Sequence, residues 1–156
     1  MKNRQAGFTL IELVVVIIIL SVLAAFALPR FINLGSQARV ASVNGVAGGL
    51  RAAVAIVQSQ YIALGQTTSP VTMLDGTLVT VNTGATNGGV PTGAAAGIGN
   101  ALQAANNAQP VDGYTTSYAV PAAVTFRPTP PNVATCQAAY NGTTGVVTVT
   151  ATVAGC

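Results

Sequence analysis

The stretch Gly7-Phe8-Thr9-Leu10-Ile11-Glu12-Leu13, continued by apolar residues as far as Leu28, decides how this chain is organised. From residue 8 to residue 28 the run is interrupted only by Thr9, Glu12 and Ser21. As a helix rising ~1.5 Å per residue, it is long enough to cross the ~30 Å hydrocarbon core of a bilayer. A carboxylate placed there costs several kcal/mol unless a partner neutralises it. We therefore expect Glu12 to have a partner, and we expect that partner on another molecule.

A short basic leader precedes the apolar run. It contains Lys2 and Arg4 and ends at Gly7. An ordinary secretory signal is cut beyond its apolar core, whereas here the small residue lies before that core. Cleavage after Gly7 would keep the apolar segment in the mature protein, with Phe8 as the new amino terminus. The positive charges predict that the leader stays in the cytoplasm and that the bulk of the chain faces outward.

The sequence Gly7-Phe8-Thr9-Leu10-Ile11-Glu12 resembles the prepilin signature of type IV pilins and their pseudopilin relatives. The resemblance implies that prepilin peptidase cuts between Gly7 and Phe8 and then N-methylates the Phe8 amine. It implies that Glu12 contacts the terminal amine of a neighbouring subunit during assembly, and that Pro29 kinks the helix. Features beyond Pro29 look most like the mannose-sensitive haemagglutinin branch of type IVa pilins: residues 30–34, Arg39 and Gly48-Gly49-Leu50.

Charge pairing gives the implied contact a physical reason. In a filament whose helices bundle, the Phe8 amine of a neighbour can approach Glu12 and form a charge-assisted hydrogen bond. Pairing two sparse charges in a dry core would fix the register between subunits. We expect Glu12→Leu to leave membrane insertion intact and to impair extension of filaments.

Composition limits the chemistry that this chain can perform. A length of 156 residues is typical of a single domain. With 6% charged residues and a mean hydropathy of +0.59, the chain is too apolar for a disordered protein. It has no His, and its only acids are Glu12, Asp75 and Asp112. These residues offer no general acid–base pair, no nucleophile–base arrangement and no metal-ligand cluster. We predict neither an enzyme nor a cofactor.

The net charge of +3 is spread along the sequence and includes the two positive charges of the leader, so it does not indicate nucleic-acid binding.

The two cysteines, Cys136 and Cys156, both lie near the end of the sequence. An even count in a membrane-anchored chain predicts a disulfide in an oxidising compartment, with two free thiols as the alternative. The closed loop would span about 20 residues and contribute on the order of 3 kcal/mol. A metal site is not expected, because two sulfurs without His cannot complete a tetrahedral shell.

Beyond Pro29 the periodicity predicts an amphipathic helix over 31–64, with Gly65 as its C-cap. Its apolar stripe consists of Val43, Val46, Leu50, Val54, Val57, Tyr61 and Leu64. The glycines of this helix are read either as tolerated flexibility, or as sites of close helix packing or of partial melting near Pro29 and Gly35 inside a filament. They are Gly35, Gly45, Gly48 and Gly49. Strands are predicted at 78–81, 114–120, 122–126 and 146–153. Turns are predicted at Asp75-Gly76 and, in preference to a glycosylation sequon, at Asn141-Gly142-Thr143. The connection 83–113 is expected to be mostly loop, with a short helix at 100–108.

The expected architecture is an α+β pilin fold, in which a long N-terminal α-helix, kinked near Pro29, packs on a small C-terminal antiparallel β-sheet. Four segments follow: a cleaved leader at 1–7, a hydrophobic transmembrane or filament-core helix at 8–28, an amphipathic helix continuing into the head at 29–65, and a β-rich head with the Cys136–Cys156 loop at 66–156.

The resemblance implies a major structural subunit of a type IV pilus. It would be held in the inner membrane as a precursor, then assembled with identical subunits by the pilus machinery into an extracellular fimbrium for adhesion, motility or DNA uptake. One alternative is a type II secretion pseudopilin, although the major members of that family carry an acidic calcium-binding C-terminal region and this chain has two isolated Asp. A minor pilin or adhesin is the other alternative, and would need a basic or aromatic cluster.

Overall fold

The structure, a computed structural model, describes residues 7–31, 34–65, 68–102, 111–119 and 123–156, with side chains described in these ranges except at 27–31 and 119. The chain forms two compact units, Met1–Gly35 and Ser36–Cys156, and each is described by itself.

The described residues of the first unit form helix α1, over Leu10–Phe31. No glycine interrupts this run, and its residues are almost all aliphatic or Ala. Pro29 lies in the last turn, and the helix extends two residues beyond it. Residues 32 and 33 lie outside the described part, so the kink expected near Pro29 stays a prediction.

The helix predicted after Pro29 is confirmed as α2, Leu34–Ala63. Its buried residues are Val43, Ala47, Leu50, Ala53, Val54, Val57 and Tyr61, which recur every three or four positions. Leu64 was wrongly placed on this stripe, because the helix ends at Ala63 and Leu64 is 62% exposed. Gly65 adopts φ +72° and donates its N–H to the Ile62 carbonyl, as a glycine that ends a helix does.

A two-stranded sheet follows α2, formed by β1 (Val71–Thr72) and β2 (Leu78–Val79). The predicted Asp75-Gly76 turn joins them: Asp75 Oδ1 accepts the Thr77 N–H at 2.9 Å and Gly76 has φ +84°. Only the first half of the strand predicted at 78–81 is in β2, because Val81 instead pairs singly with Pro91. β1 was not predicted from the sequence.

The main sheet is antiparallel and has the order β3-β4-β5-β6. Its strands are β3 (Tyr114–Ala119), β4 (Ala123–Pro128), β5 (Cys136–Tyr140) and β6 (Val147–Ala151). Three of them lie where strands were predicted, with residues 120–122 outside the described part, and β5 was missed. The Asn141-Gly142-Thr143 turn joins β5 to β6, and Asn141 Oδ1 accepts the N–H groups of Thr143 and Thr144 at 2.9 and 3.1 Å.

The long connection before β3 contains a π-helical turn at Ala95–Gly99 and a short helix, α3, at Asn100–Leu102. The helix expected at 100–108 therefore begins where it was predicted, and residues 103–110 lie outside the described part.

One face of the main sheet packs against α2. Val43, Leu50 and Val54 of α2 share a buried cluster with Phe126 and Tyr140 of the sheet. A second cluster joins Val57 and Tyr61 to the β1–β2 hairpin. The α+β architecture is thus confirmed, and the second unit buries its own apolar face.

Candidate functional site

Thr9 and Glu12 form a reciprocal cap at the start of α1. Glu12 Oε2 accepts the Thr9 backbone N–H at 3.2 Å and the Thr9 hydroxyl at 3.0 Å. In return the Glu12 N–H is 3.3 Å from Thr9 Oγ1. This is the capping box, in which a Thr at the N-cap and a Glu three residues later satisfy donors that the first helical turn leaves free.

The capping box adds Thr9 to the residues that matter in this segment. Glu12 was singled out from the sequence for its charge, and Thr9 was not predicted to have a role. The pattern Thr-x-x-Glu before an apolar run is nevertheless a helix-start signal. The negative Glu12 side chain in the first turn is also favoured by the helix dipole. Glu12 therefore has a local structural role within its own chain.

The carboxylate of Glu12 keeps one oxygen available. Its recorded hydrogen bonds all go to Oε2, and within the described part of the chain Oε1 accepts none. The side chain is exposed. A cation from another molecule can therefore approach Oε1 while the capping box stays closed.

The surface of α1 is apolar on every side. Every described side chain from Phe8 to Phe26 is exposed, with Phe8 at 88%, Leu10 at 80% and Phe26 at 76% of its area. A helix that is hydrophobic all round is stable only when lipid or protein covers it. Within its own unit no described residue supplies such cover, so the cover has to come from outside that unit.

Two helices are apolar enough to be compared as membrane spans. By length and composition α2 qualifies, with a mean hydropathy of 1.6, but a third of its apolar window is buried inside its own unit. It also carries Arg39 and Arg51. The described apolar stretch of α1, Leu10–Phe26, is shorter and fully exposed. We assign α2 to the core of the second unit, and α1 is the segment that needs an apolar environment.

The residues expected to be processed lie just before α1. Gly7, Phe8 and Thr9 have no regular secondary structure and are exposed. A Cβ at Gly7 would meet nothing within 4 Å, so packing in this chain does not demand a glycine there. The peptide bond between Gly7 and Phe8 is thus exposed and outside any helix or strand, and a peptidase can reach it.

The two cysteines are far from α1 in sequence and form a separate feature. A disulfide joins Cys136 to Cys156, with the two Cα atoms 5.0 Å apart, and no cysteine is free. Cys136 is fully buried in the core of the second unit. Arg39 Nε donates to the Cys156 carbonyl at 2.7 Å, so α2 and the disulfide together hold this end of the sheet.

Metal ligation has no candidate among the described residues, where no group of three or more His, Cys, Asp or Glu side chains comes together.

Comparison with known families places the signal in the amino-terminal segment. Residues 2–28 match the family described as the prokaryotic N-terminal methylation motif. The chain is 49% identical over 57 residues to the type IV narrow pilus major component PilA5 of Thermus thermophilus, covering 36% of this chain and 49% of that protein. It is 43% identical over 54 residues to the type IV major fimbrial protein FimA of Dichelobacter nodosus, covering 35% of each chain.

The matched region thus spans about half of the length of PilA5 and about a third of that of FimA. No solved structure matches this chain. The family match therefore covers the segment that contains Gly7, Phe8, Thr9 and Glu12.

Proposed function

We propose, on the premise that this chain is a type IV pilin by its amino-terminal segment, that it polymerises through α1 into a surface filament. One observation supports this above all others: α1 is apolar and exposed on every side and carries a single carboxylate in its first turn. Such a helix needs cover over its whole circumference. A bilayer supplies that cover before assembly, and a bundle of identical helices supplies it afterwards.

The first step of the proposed route is processing. The peptide bond between Gly7 and Phe8 is cut by prepilin peptidase, and the Phe8 amine is methylated. The new amine lies one residue before Thr9, the N-cap of α1. The capping box does not use that amine as a donor, because the Thr9 N–H and hydroxyl fill this role. Processing therefore adds a cation without removing the cap.

The second step is pairing between subunits. The Phe8 amine of one subunit approaches Oε1 of Glu12 on its neighbour, while Oε2 remains with Thr9. A charge-assisted hydrogen bond in a dry environment is stronger than one between neutral groups. Leaving either charge unpaired in that environment is costly, so the pair selects one register between neighbouring helices.

The proposed segments keep their sequence boundaries. Residues 1–7 form the leader, 8–28 the inner-membrane and then filament-core segment, 29–65 the connection into the head, and 66–156 the head with its disulfide. The filament displays the head outward, where adhesion, motility or DNA uptake would take place. The proposed partners are identical subunits, prepilin peptidase and the pilus assembly machinery.

Electron microscopy of sheared surface filaments, combined with mass spectrometry of the subunit, tests this proposal. It predicts long filaments whose subunit begins at N-methylated Phe8. A subunit that keeps residues 1–7 in surface filaments would contradict the processing step. Cells that make the processed chain but no filament would contradict polymerisation.

A further inference from the structure

The main sheet of the second unit ends in two edge strands, each paired on its inner side only, with no described strand on its outer side. They are β3 on one side and β6 on the other. An open edge strand presents unpaired N–H and C=O groups to any other strand, and proteins usually block it with a charge, Pro or Gly. Neither strand contains any of these, since β3 reads YTTSYA and β6 reads VTVTA.

Two backbone hydrogen bonds at the ends of the hairpins show which residues point outward. The Asn141 N–H donates to the Val146 carbonyl at 2.9 Å, so the next pair, Tyr140 and Val147, is not hydrogen-bonded. Alternation along β6 then turns the backbone groups of Val147, Val149 and Ala151 away from β5. The Val147 carbonyl already accepts from Arg51 Nη2 at 3.3 Å, so the open part of this edge is centred on Val149 and Ala151.

The outward-pointing residues of β3, the other edge strand, follow from a hydrogen bond in the same way. The Thr129 N–H donates to the Gly113 carbonyl at 2.8 Å, so Tyr114 and its partner Pro128 are not hydrogen-bonded to each other. Tyr114, Thr116 and Tyr118 therefore direct their backbone groups away from β4. The Tyr114 N–H already donates to the Val111 carbonyl at 3.2 Å, so the open part of this edge is centred on Thr116 and Tyr118.

The two edges match in level, direction and face. Following the pairing across the sheet, Tyr118 lies level with Val147, because Tyr118 pairs with Val124, Val124 with Tyr140, and Tyr140 with Val147. Four alternating antiparallel strands make β3 and β6 run in opposite directions. The outward-pointing residues of both edges have side chains on the face that packs against α2. A copy moved sideways by one sheet width would therefore pair without any change of register or face.

We propose that β6 of one molecule pairs with β3 of a second copy, in antiparallel register, so that the two sheets become continuous. Val149 then lies opposite Thr116 of the second copy, and Thr148 lies opposite Ser117. Since each copy still has one open edge, the contact does not close and can extend through many copies. The proposal uses only the second unit and does not depend on α1 or on the proposed filament.

Charge favours this partner over a symmetric β6–β6 contact. Arg51 Nη2 donates to the Val147 carbonyl at one end of β6, and Arg39 holds Cys156 at the other. Pairing β6 with itself would turn one copy end for end and bring Arg51 towards Arg39 of the other copy. In the β6–β3 contact, Ala151 of one copy lies opposite Tyr114 of the second copy. Asp112 of the second copy, two residues before Tyr114, then lies near Arg39 of the first copy.

Disulfide trapping in the full chain tests the register. Thr148 and Ser117 are both exposed, and in the proposed contact they form a non-hydrogen-bonded pair with Cα atoms ~4.5 Å apart, within disulfide reach. Within one molecule they are three strand spacings apart, about 14 Å, which is too far. In cells that export the full chain, mild oxidation of Ser117→Cys/Thr148→Cys should give a ladder of covalent multimers on a non-reducing gel.

Two matched double variants give the controls. Ser117→Cys/Thr150→Cys shifts the pair by two residues and should give little or no ladder, while Thr148→Cys/Thr150→Cys would give covalent dimers only if β6 pairs with β6. Dimers from the latter, or no multimers from Ser117→Cys/Thr148→Cys, would overturn the proposal. Mass spectrometry should show that Cys136 and Cys156 remain joined in each variant.

Three further variants separate this contact from the proposed function and from simple crowding. In a Glu12→Leu background the ladder should persist, because the edges lie in the other unit; its loss would contradict pairing by the edges themselves. Asp112→Asn should lower the yield of multimers, whereas Asp75→Asn, which keeps its turn bond to Thr77, should not. Equal yields from these two variants would contradict the proposed register.

Discussion

Thr9 and Glu12 bind each other at the first turn of α1, through two hydrogen bonds to Glu12 Oε2 at 3.2 and 3.0 Å and one return contact at 3.3 Å. The carboxylate needed for the proposed contact between subunits is therefore already positioned by its own chain. Holding Oε2 restricts the side chain and leaves Oε1 without a donor among the described residues. Local capping and intersubunit pairing are compatible, and they can be separated by substitution.

Removing the Thr9 hydroxyl should loosen the start of α1. Thr9→Ala deletes one donor to Glu12 and the acceptor for the Glu12 N–H, at a cost of about 1 kcal/mol to the first turn. Thr9→Ser keeps both contacts and is the matched control. Hydrogen exchange in detergent micelles should show faster exchange of the Glu12 amide in Thr9→Ala only. Identical rates in the two variants would contradict the capping box.

Breaking the disulfide should destabilise the second unit without affecting α1. Cys156→Ser opens a loop whose ends are 20 residues apart in sequence, which predicts a loss of about 3 kcal/mol in the free energy of unfolding. Thermal unfolding of the detergent-solubilised full chain, with and without reductant, measures this loss. Reductant should lower the Tm of the unsubstituted chain and leave that of Cys156→Ser unchanged. A shift of equal size in both would argue against this cross-link as the cause.

Alkaline pH should weaken the second unit through buried tyrosines. Burial raises the pKa of Tyr140, whose hydroxyl donates to the Pro91 carbonyl at 2.6 Å, and burial also raises the pKa of Tyr118. With the folded-state pKa above the unfolded one, the stabilising effect is complete below the ordinary pKa of about 10 and is lost as the pH rises beyond it.

Denaturant unfolding as a function of pH checks this sign. The free energy of unfolding should fall above pH ~10 by up to about 1.4 kcal/mol per pH unit for each such tyrosine. Tyr140→Phe should be less stable at neutral pH, because the Pro91 carbonyl loses its donor, and should show a shallower fall at high pH. An unchanged slope would contradict the role of Tyr140.

Two glycines should respond to alanine in opposite ways. Gly48 lies at a solvent-exposed position in the middle of α2, and a Cβ there meets nothing within 4 Å. Gly48→Ala should therefore stabilise the chain by up to ~1 kcal/mol. A Cβ at Gly142 would collide with the Gly93 backbone nitrogen, so Gly142→Ala should lower the Tm markedly. Denaturant unfolding of both variants gives the comparison, and a destabilised Gly48→Ala would contradict it.

The filament yield of Gly48→Ala addresses a further question. The sequence left open whether the glycines of α2 are tolerated or serve close packing between helices. A variant that is more stable yet forms fewer filaments would indicate close packing at Gly48. A normal yield would indicate tolerance.

The elements predicted correctly from the sequence are those whose local sequence pattern favours the same structure as their tertiary packing. The stripe of α2, the Asp75-Gly76 turn and the alternating β6 all have strong local signals. β5 was missed because its sequence, CQAAY, has no β-branched residue, and its burial is set by pairing with strands on both sides. β1 has only two residues, too few for a period.

The candidate site shows the same division. The charge of Glu12 in an apolar run is visible in the sequence, whereas its orientation by Thr9 becomes clear from the hydrogen bonds. Leu64 was placed on the buried stripe because the period alone cannot show where a helix ends. In the structure the chain leaves the helix at Ala63, and Gly65 completes the turn.

The most direct measurement is the filament yield of three Glu12 variants of the full chain, counted by electron microscopy beside normal levels of processed, membrane-inserted protein. Glu12→Gln keeps the acceptor of the capping box but removes the charge, Glu12→Leu removes both, and Glu12→Asp keeps the charge on a shorter side chain. Pairing with the Phe8 amine predicts that Gln and Leu both abolish long filaments and that Asp retains some. Normal filaments from Glu12→Gln would show that the cap alone suffices and would contradict the account.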